Sequence, residues 1–154
     1  VPLHPADRSS PPMNLGEATV RFLNRSADSR AEDGSSRGLN DASVVFRLDY
    51  GAVSALFTGD LERDGGEELL ESGVPLRATI LKVGHHGGRT SSTESFLRTV
   101  RPRIAVISAD YPSTGGRPRQ EVIDRLKSVG AEVYWTGRDG AITVVEPADG
   151  ARAA

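Results

Sequence analysis

The sequence predicts an α/β domain in which helices cover at least one face of a sheet, and three observations carry that prediction. Short apolar runs, "ATILKVG" (78–84) and "RIAVIS" (103–108), alternate with helical patterns at "TESFLRTV" (93–100) and "RPRQEVIDRLKSVG" (117–130). Ahead of them, "ASVVFRLDY" and "AVSALFTGD" flank Gly51 and are rich in β-branched and aromatic residues, the pattern of a hairpin turning at 49–51. The 154 residues, 37% of them hydrophobic, suit one domain with a modest core.

The lead-in, 1–15, is Pro/Ser-rich and reads as irregular, and its start, "VPLHPADRSSPPMN", has neither a signal peptide nor an initiating Met. It reads as a cut inside a longer protein. "EATVRFLN" (17–24) alternates as a half-buried strand does, and the stretch 25–41 is almost devoid of apolar residues, as a surface loop is. "LERDGGEELLESG" carries Leu61, Leu69 and Leu70 on a helix that Gly65 and Gly66 weaken. The strongest helix is 117–130: Val122, Ile123, Leu126 and Val129 share a face, Pro118 suits the first turn and Gly130 the stop. "AEVYWT" and "AITVVE" then read as a closing hairpin around 138–140, and 147–154 as a frayed tail.

Charge is nearly balanced, with 19 Lys and Arg against 21 Asp and Glu, so no partner follows from the total. Its distribution is uneven: 82–127 holds nine basic and four acidic residues, a +5 segment that attracts phosphates or merely solvates helix faces. With no cysteine, disulfides and thiolate metal sites are excluded. No apolar run approaches the ~20 residues that a membrane-spanning helix needs.

Two features fall directly after buried strands: Asp60 in "LFTGD", and His85 with His86 in "LKVGHHGG". Sites of α/β sheets gather at strand carboxyl ends, and Gly59, Gly84, Gly87 and Gly88 permit sharp turns and close approach there. A carboxylate with imidazoles suits zinc or manganese. Lys82 and Arg89 add charge suited to a phosphate. Each feature also has a plain structural reading: Asp60 as a helix N-cap, the histidines as an exposed polar turn, and Trp135 as strand filler. His4 lies too near the chain start to count as a ligand.

Taken in order, "NDASVVFRLDYGAVSALFTGDLE", "ATILKVGHHGGRTSSTESFL" and "RPRIAVISADYPSTGGRPRQEVIDRLKSVGAEVYWTGRDGAITV" resemble the C-terminal half of a metallo-β-lactamase-fold domain. The version most similar is the soluble domain of ComEC-type competence proteins, and the resemblance spans 16–146. It implies half of an αββα sandwich. It also implies a phosphodiesterase- or nuclease-like hydrolase whose complete site holds two divalent ions, zinc or manganese. Carried over residue by residue, Asp60 and His85 would ligate metal, while His86 and Lys82 would serve catalysis. Ser91 and Ser92 would contact the substrate or the metal ligands, Arg89 and Arg117 would contact substrate through their own charge, and Asn40 and Ser43 would hold a loop near the site. DNA, the N-terminal half of the same domain and the membrane channel of a parent protein are the implied partners. The resemblance thus places the chain as a soluble domain of a bacterial cell-membrane protein.

Two departures qualify this. The fold's His-x-His-x-Asp-His cluster, or its His-x-Asp-x-Asp-His variant, is missing from the 154 residues, so the chain alone should bind metal weakly or not at all. A family Gly-His-Pro element stands as Gly116-Arg117-Pro118, replacing a potential ligand with a phosphate-gripping guanidinium. A domain that binds DNA or a protein partner without hydrolysis, or a free-standing hydrolase of another ester, are the competing readings.

Overall fold

A computed structural model describes residues 6–24, 39–110, 116–145 and 152–153. Seven strands form one sheet in sequential order: β1 (Met13–Leu15), β2 (Ala18–Phe22), β3 (Phe46–Tyr50), β4 (Val53–Phe57), β5 (Ile80–Lys82), β6 (Ile104–Ile107) and β7 (Glu132–Trp135). β1 to β4 pair antiparallel, and β4 to β7 pair parallel. The change follows from the connections. Two residues link β3 to β4, whereas α1 (Arg63–Glu71), α2 (Glu94–Val100) and α3 (Gln120–Ser128) bridge the parallel strands.

Side-chain alternation divides the sheet into two unlike faces. One carries Leu56, Leu81, Ala105 and Ile107, which pack with Leu69, Phe96, Leu97, Val100, Val122 and Leu126 of the three helices to make the core. The opposite face follows from the register. Phe22, Phe46, Phe57, Lys82, Val106 and Tyr134 lie in one row across six strands, and Val20, Leu48, Ala55, Ile80 and Ile104 in the next. Phe46 stacks on Phe57 at 4.6 Å between ring centroids, and Phe22 meets Phe46 edge-on at 6.4 Å. α1, α2 and α3 leave this apolar face to itself, and Phe22, Phe46, Phe57 and Val106 remain only half-buried.

Three expectations change at the ends of the chain. The closing hairpin does not form: β7 lies parallel to β6, and its chain enters the short α4 (Thr136–Asp139). Asp139 drives this, because its carboxylate accepts from the backbone N–H of Trp135 at 2.8 Å, closing a helical turn where a β-turn was expected. β8 (Val144–Val145) pairs instead with β9 (Arg152–Ala153), so part of the expected frayed tail is paired. Met13–Leu15 of the expected irregular lead-in forms an edge strand on β2.

Pro118 precedes α3, whose N-cap is Arg119, and the Arg117–Pro118 peptide is cis. The chain at 116–119 is held against the histidine loop by Arg119 N–H donating to the Gly87 carbonyl at 3.0 Å. Of the expected loop at 25–41, residues 25–38 lie outside the described residues, as does His4, while Leu39–Ala42 forms a 3-10 turn.

Candidate metal and phosphate site

The carboxyl ends of β4, β5 and β6 place three loops side by side. Thr58, buried after β4, donates its hydroxyl to the Lys82 carbonyl at 2.9 Å and ties the first two together. Gly59 then turns with φ +52, and a Cβ there would stand 2.8 Å from Ser43 Cβ, so only glycine fits. Ser43 accepts from Asp60 N–H at 2.9 Å. Asp60 is not the cap of α1: the N-cap is Glu62, and no side chain caps that helix. The Asp60 carboxylate is therefore free of that structural duty.

After β5, Gly84–Gly87 forms a 3-10 turn interrupted by two left-handed residues, His85 (φ 47, ψ 42) and His86 (φ 54, ψ 27). Each costs about 1–2 kcal/mol in a non-glycine residue. Such strain persists only where surrounding contacts dictate it. They do so here: His85 N–H donates to the Gly59 carbonyl at 3.1 Å, and Gly88 N–H to the His85 carbonyl at 2.8 Å. Arg125, from α3, donates to the carbonyls of Arg89, Ser91 and Ser92 at 2.9–3.2 Å.

The two histidines diverge. His86 Nδ1 lies 2.7 Å from the Ser108 carbonyl, which can only accept, so Nδ1 carries a proton and in the neutral ring Nε2 holds the lone pair. That Nε2 faces Asp60 Oδ1 at 3.6 Å, and both side chains are close to half exposed. His85 Nδ1 instead lies 2.5 Å from Glu62 Oε1, an oxygen that accepts from Asn40 Nδ2 at 2.9 Å. The Glu62 carboxyl is held below the usual glutamate range, first by Asn40, against an opposing effect of burial, and further by His85 and Thr90.

The remaining candidates occupy distinct places. Lys82 lies on the open sheet face with Nζ donating to the Val83 carbonyl at 3.0 Å; burial lowers its pKa, and the Asp60 charge opposes that. Arg117 reaches the histidine loop, its Nε and His85 Cγ each 3.3 Å from the position a Cβ on Gly88 would take. Arg89 faces away to Glu121 at 2.9 Å, and Ser91 is fully buried with its hydroxyl on the Gly88 carbonyl at 2.8 Å. Trp135 packs on the core and donates Nε1–H to the Ala109 carbonyl at 2.8 Å.

The structure thus brings together Asp60, His86, Lys82, His85 and Arg117, and turns Arg89 and Ser91 to structural contacts. Glu62, Asp41 and the Ser108 carbonyl escaped sequence reasoning. Asp41 Oδ1 accepts from Glu62 N–H at 2.8 Å, but an acid in a polar stretch carries no signal of that role.

Asp60 Oδ1 and the free Nε2 of His86 suit a divalent cation as two of its ligands, with Ser108 fixing the imidazole as outer-shell partners do. Among the described residues no group of three His, Asp or Glu side chains is disposed to hold a metal. The two donors fit one edge of a coordination shell, and no third described side chain joins them.

Residues 14–110 match the Metallo-beta-lactamase superfamily. Over 103 residues, 67% of this chain and 13% of the relative, the sequence is 35% identical to ComE operon protein 3 of Bacillus subtilis. It is 36% identical to Competence protein ComA of Neisseria gonorrhoeae over 67% of the chain and 15% of that protein. Recombination protein 2 of Haemophilus influenzae is 34% identical over 71% of the chain and 14% of its own length. The chain therefore spans only a small part of the relatives it matches.

Proposed function

The chain belongs to the metallo-beta-lactamase superfamily, and from that premise we propose that it contributes one wall of a metal-dependent phosphodiesterase site in a DNA-uptake protein. One observation carries the reading: the His86 imidazole, protonated at Nδ1 on Ser108, offers Nε2 toward Asp60 at 3.6 Å, at the strand ends where α/β sites gather. Divalent ions bound there would supply a nucleophilic water and charge stabilisation for in-line attack on phosphorus. This chain's own residues then have separable tasks. Asp60 and His86 bind and orient. Lys82 and Arg117 set positive charge beside the phosphate. Glu62 holds His85 and with it the strained loop.

The half-buried apolar face bearing Phe22, Phe46 and Phe57 supports the sandwich reading, since a second sheet packed there would complete two layers around the site's edge. The further ligands would come from that second layer. No described helix is long and apolar enough to cross a membrane, so attachment to a membrane channel would rest on other parts of a longer protein.

The test is cleavage of a labelled oligonucleotide with manganese or zinc, using the chain together with whatever sequence its gene encodes upstream. Asp60→Ala and His86→Ala should each abolish metal-dependent cleavage. Undiminished cleavage by Asp60→Ala refutes the reading. A second reading, DNA binding without hydrolysis, is favoured by Arg117 standing where the family has histidine. Binding that survives chelation, with no cleavage under any metal, would establish it.

A further inference from the structure

A groove with about 290 Å³ of open space lies at the other end of the sheet, lined by Arg47, Ser54, Arg77, Thr79, Arg101 and Arg103. It sits at the amino ends of β4, β5 and β6. It is roughly 20 Å from Asp60, taking the six residues from Ser54 at ~3.3 Å each. Arg47 is consumed by structure: it bonds Asp49 at 2.7–2.8 Å and the Arg77 carbonyl. Arg101 spends one N–H on the Arg98 carbonyl at 3.2 Å. Arg77 and Arg103 are exposed, and among the described residues nothing accepts from either guanidinium.

Some arginines elsewhere are neutralised by carboxylates, as Arg89 is by Glu121 and Arg98 by Glu94. Ser54 and Thr79 pair with each other across β4 and β5, so their hydroxyls define the floor. Converging guanidinium groups repel one another until an anion joins them, and their planar forks match phosphate oxygens. Among the described residues no aromatic ring lines the groove, which argues against base stacking and for backbone recognition.

We propose that this groove is a second, metal-independent site for the phosphates of a nucleic-acid strand, read without regard to sequence. The inference rests on the phosphodiesterase reading for its choice of polyanion but not for its chemistry. The experiment is fluorescence anisotropy of a labelled single-stranded oligonucleotide with the full chain, in EDTA, across a salt series. Each phosphate contact on single strands contributes about 0.7 to the slope of log K against log[salt]. Arg77→Ala with Arg103→Ala should therefore flatten the slope by about 1.4 and weaken binding at low salt. Both side chains are exposed and, among the described residues, unpaired, so the melting temperature should hold; the single variants provide the same comparison should the double variant lose stability. Arg98→Ala, whose guanidinium is paired with Glu94 outside the groove, should bind like the parent protein. An unchanged slope in the arginine variants overturns the proposal, as does loss of affinity for anionic phospholipid vesicles with oligonucleotide binding intact. If arginine-dependent binding appears but Asp60→Ala cleaves normally, the hydrolase assignment fails and this one stands.

Discussion

Replacing Gly87 by alanine tests how the histidine loop is built. Gly87 has φ +75, a conformation that costs an L-residue about 1–2 kcal/mol. The new Cβ would lie 2.7 Å from Pro118 Cβ and 3.1 Å from Pro118 Cα. Normal carbon contacts are ~3.5–4.0 Å, so Pro118 must retreat by about 1 Å. Forced overpacking of this kind typically costs a further 1–3 kcal/mol. Neighbouring Gly88 is the control, with φ −64, where alanine is unstrained. Its Cβ would press at 3.1 Å on the His85 carbonyl and at 3.3 Å on the flexible Arg117 side chain.

Gly87→Ala should thus destabilise the protein by about 2–5 kcal/mol, and Gly88→Ala by about 1 kcal/mol or less. At roughly 2–4 °C per kcal/mol for a chain of this size, the Gly87 variant should melt some 4–20 °C below the parent. Thermal and urea unfolding of both variants supply the comparison. Equal losses would show that the approach of Pro118 and the left-handed turn do not govern this loop.

Three further outcomes follow from the same geometry. Arg125→Ala removes charged donors from the carbonyls of Arg89, Ser91 and Ser92; it should cost about 1–3 kcal/mol and speed amide exchange across 88–92, whereas unchanged exchange would refute its role as the loop's anchor. Asn40→Ala should raise the Glu62 pKa, because Asn40 is the largest cause of its depression. The depressed carboxyl stabilises the fold above its unfolded pKa and loses that contribution as pH falls through the folded one, so the variant should lose less stability on acidification. Lys82→Met should hold or raise stability at neutral pH, since burial disfavours the lysine charge. That penalty in the parent is relieved as pH rises from the depressed folded pKa toward the unfolded value, so the variant's advantage should shrink in alkali. A lower melting temperature for Lys82→Met at pH 7 would contradict it.

Much of the scaffold was legible in sequence because period-2 and 3.6-residue patterns record which faces are buried. The β3–β4 hairpin, the buried strands β5 and β6, and α1 to α3 all carry that record. So do the positions of Asp60 and the histidine pair after strands. The ends of the chain failed for a local reason. A strand that runs parallel and a strand that closes a hairpin have similar apolar content, and only α3 spanning the gap makes β7 parallel to β6. Asp139 then redirected the next turn through one hydrogen bond.

The resemblance in motif order placed the chain in its family, which the match over residues 14–110 establishes. Tertiary structure decided how the two histidines divide. Adjacent residues in sequence have equal claims on a neighbouring aspartate. The left-handed backbone at 85 and 86 sends their rings to different partners: His85 Nδ1 lies beside Glu62, and the Ser108 contact at Nδ1 leaves Nε2 of His86 facing Asp60. No spacing rule encodes that, because the deciding partners lie 22 or more residues away along the chain.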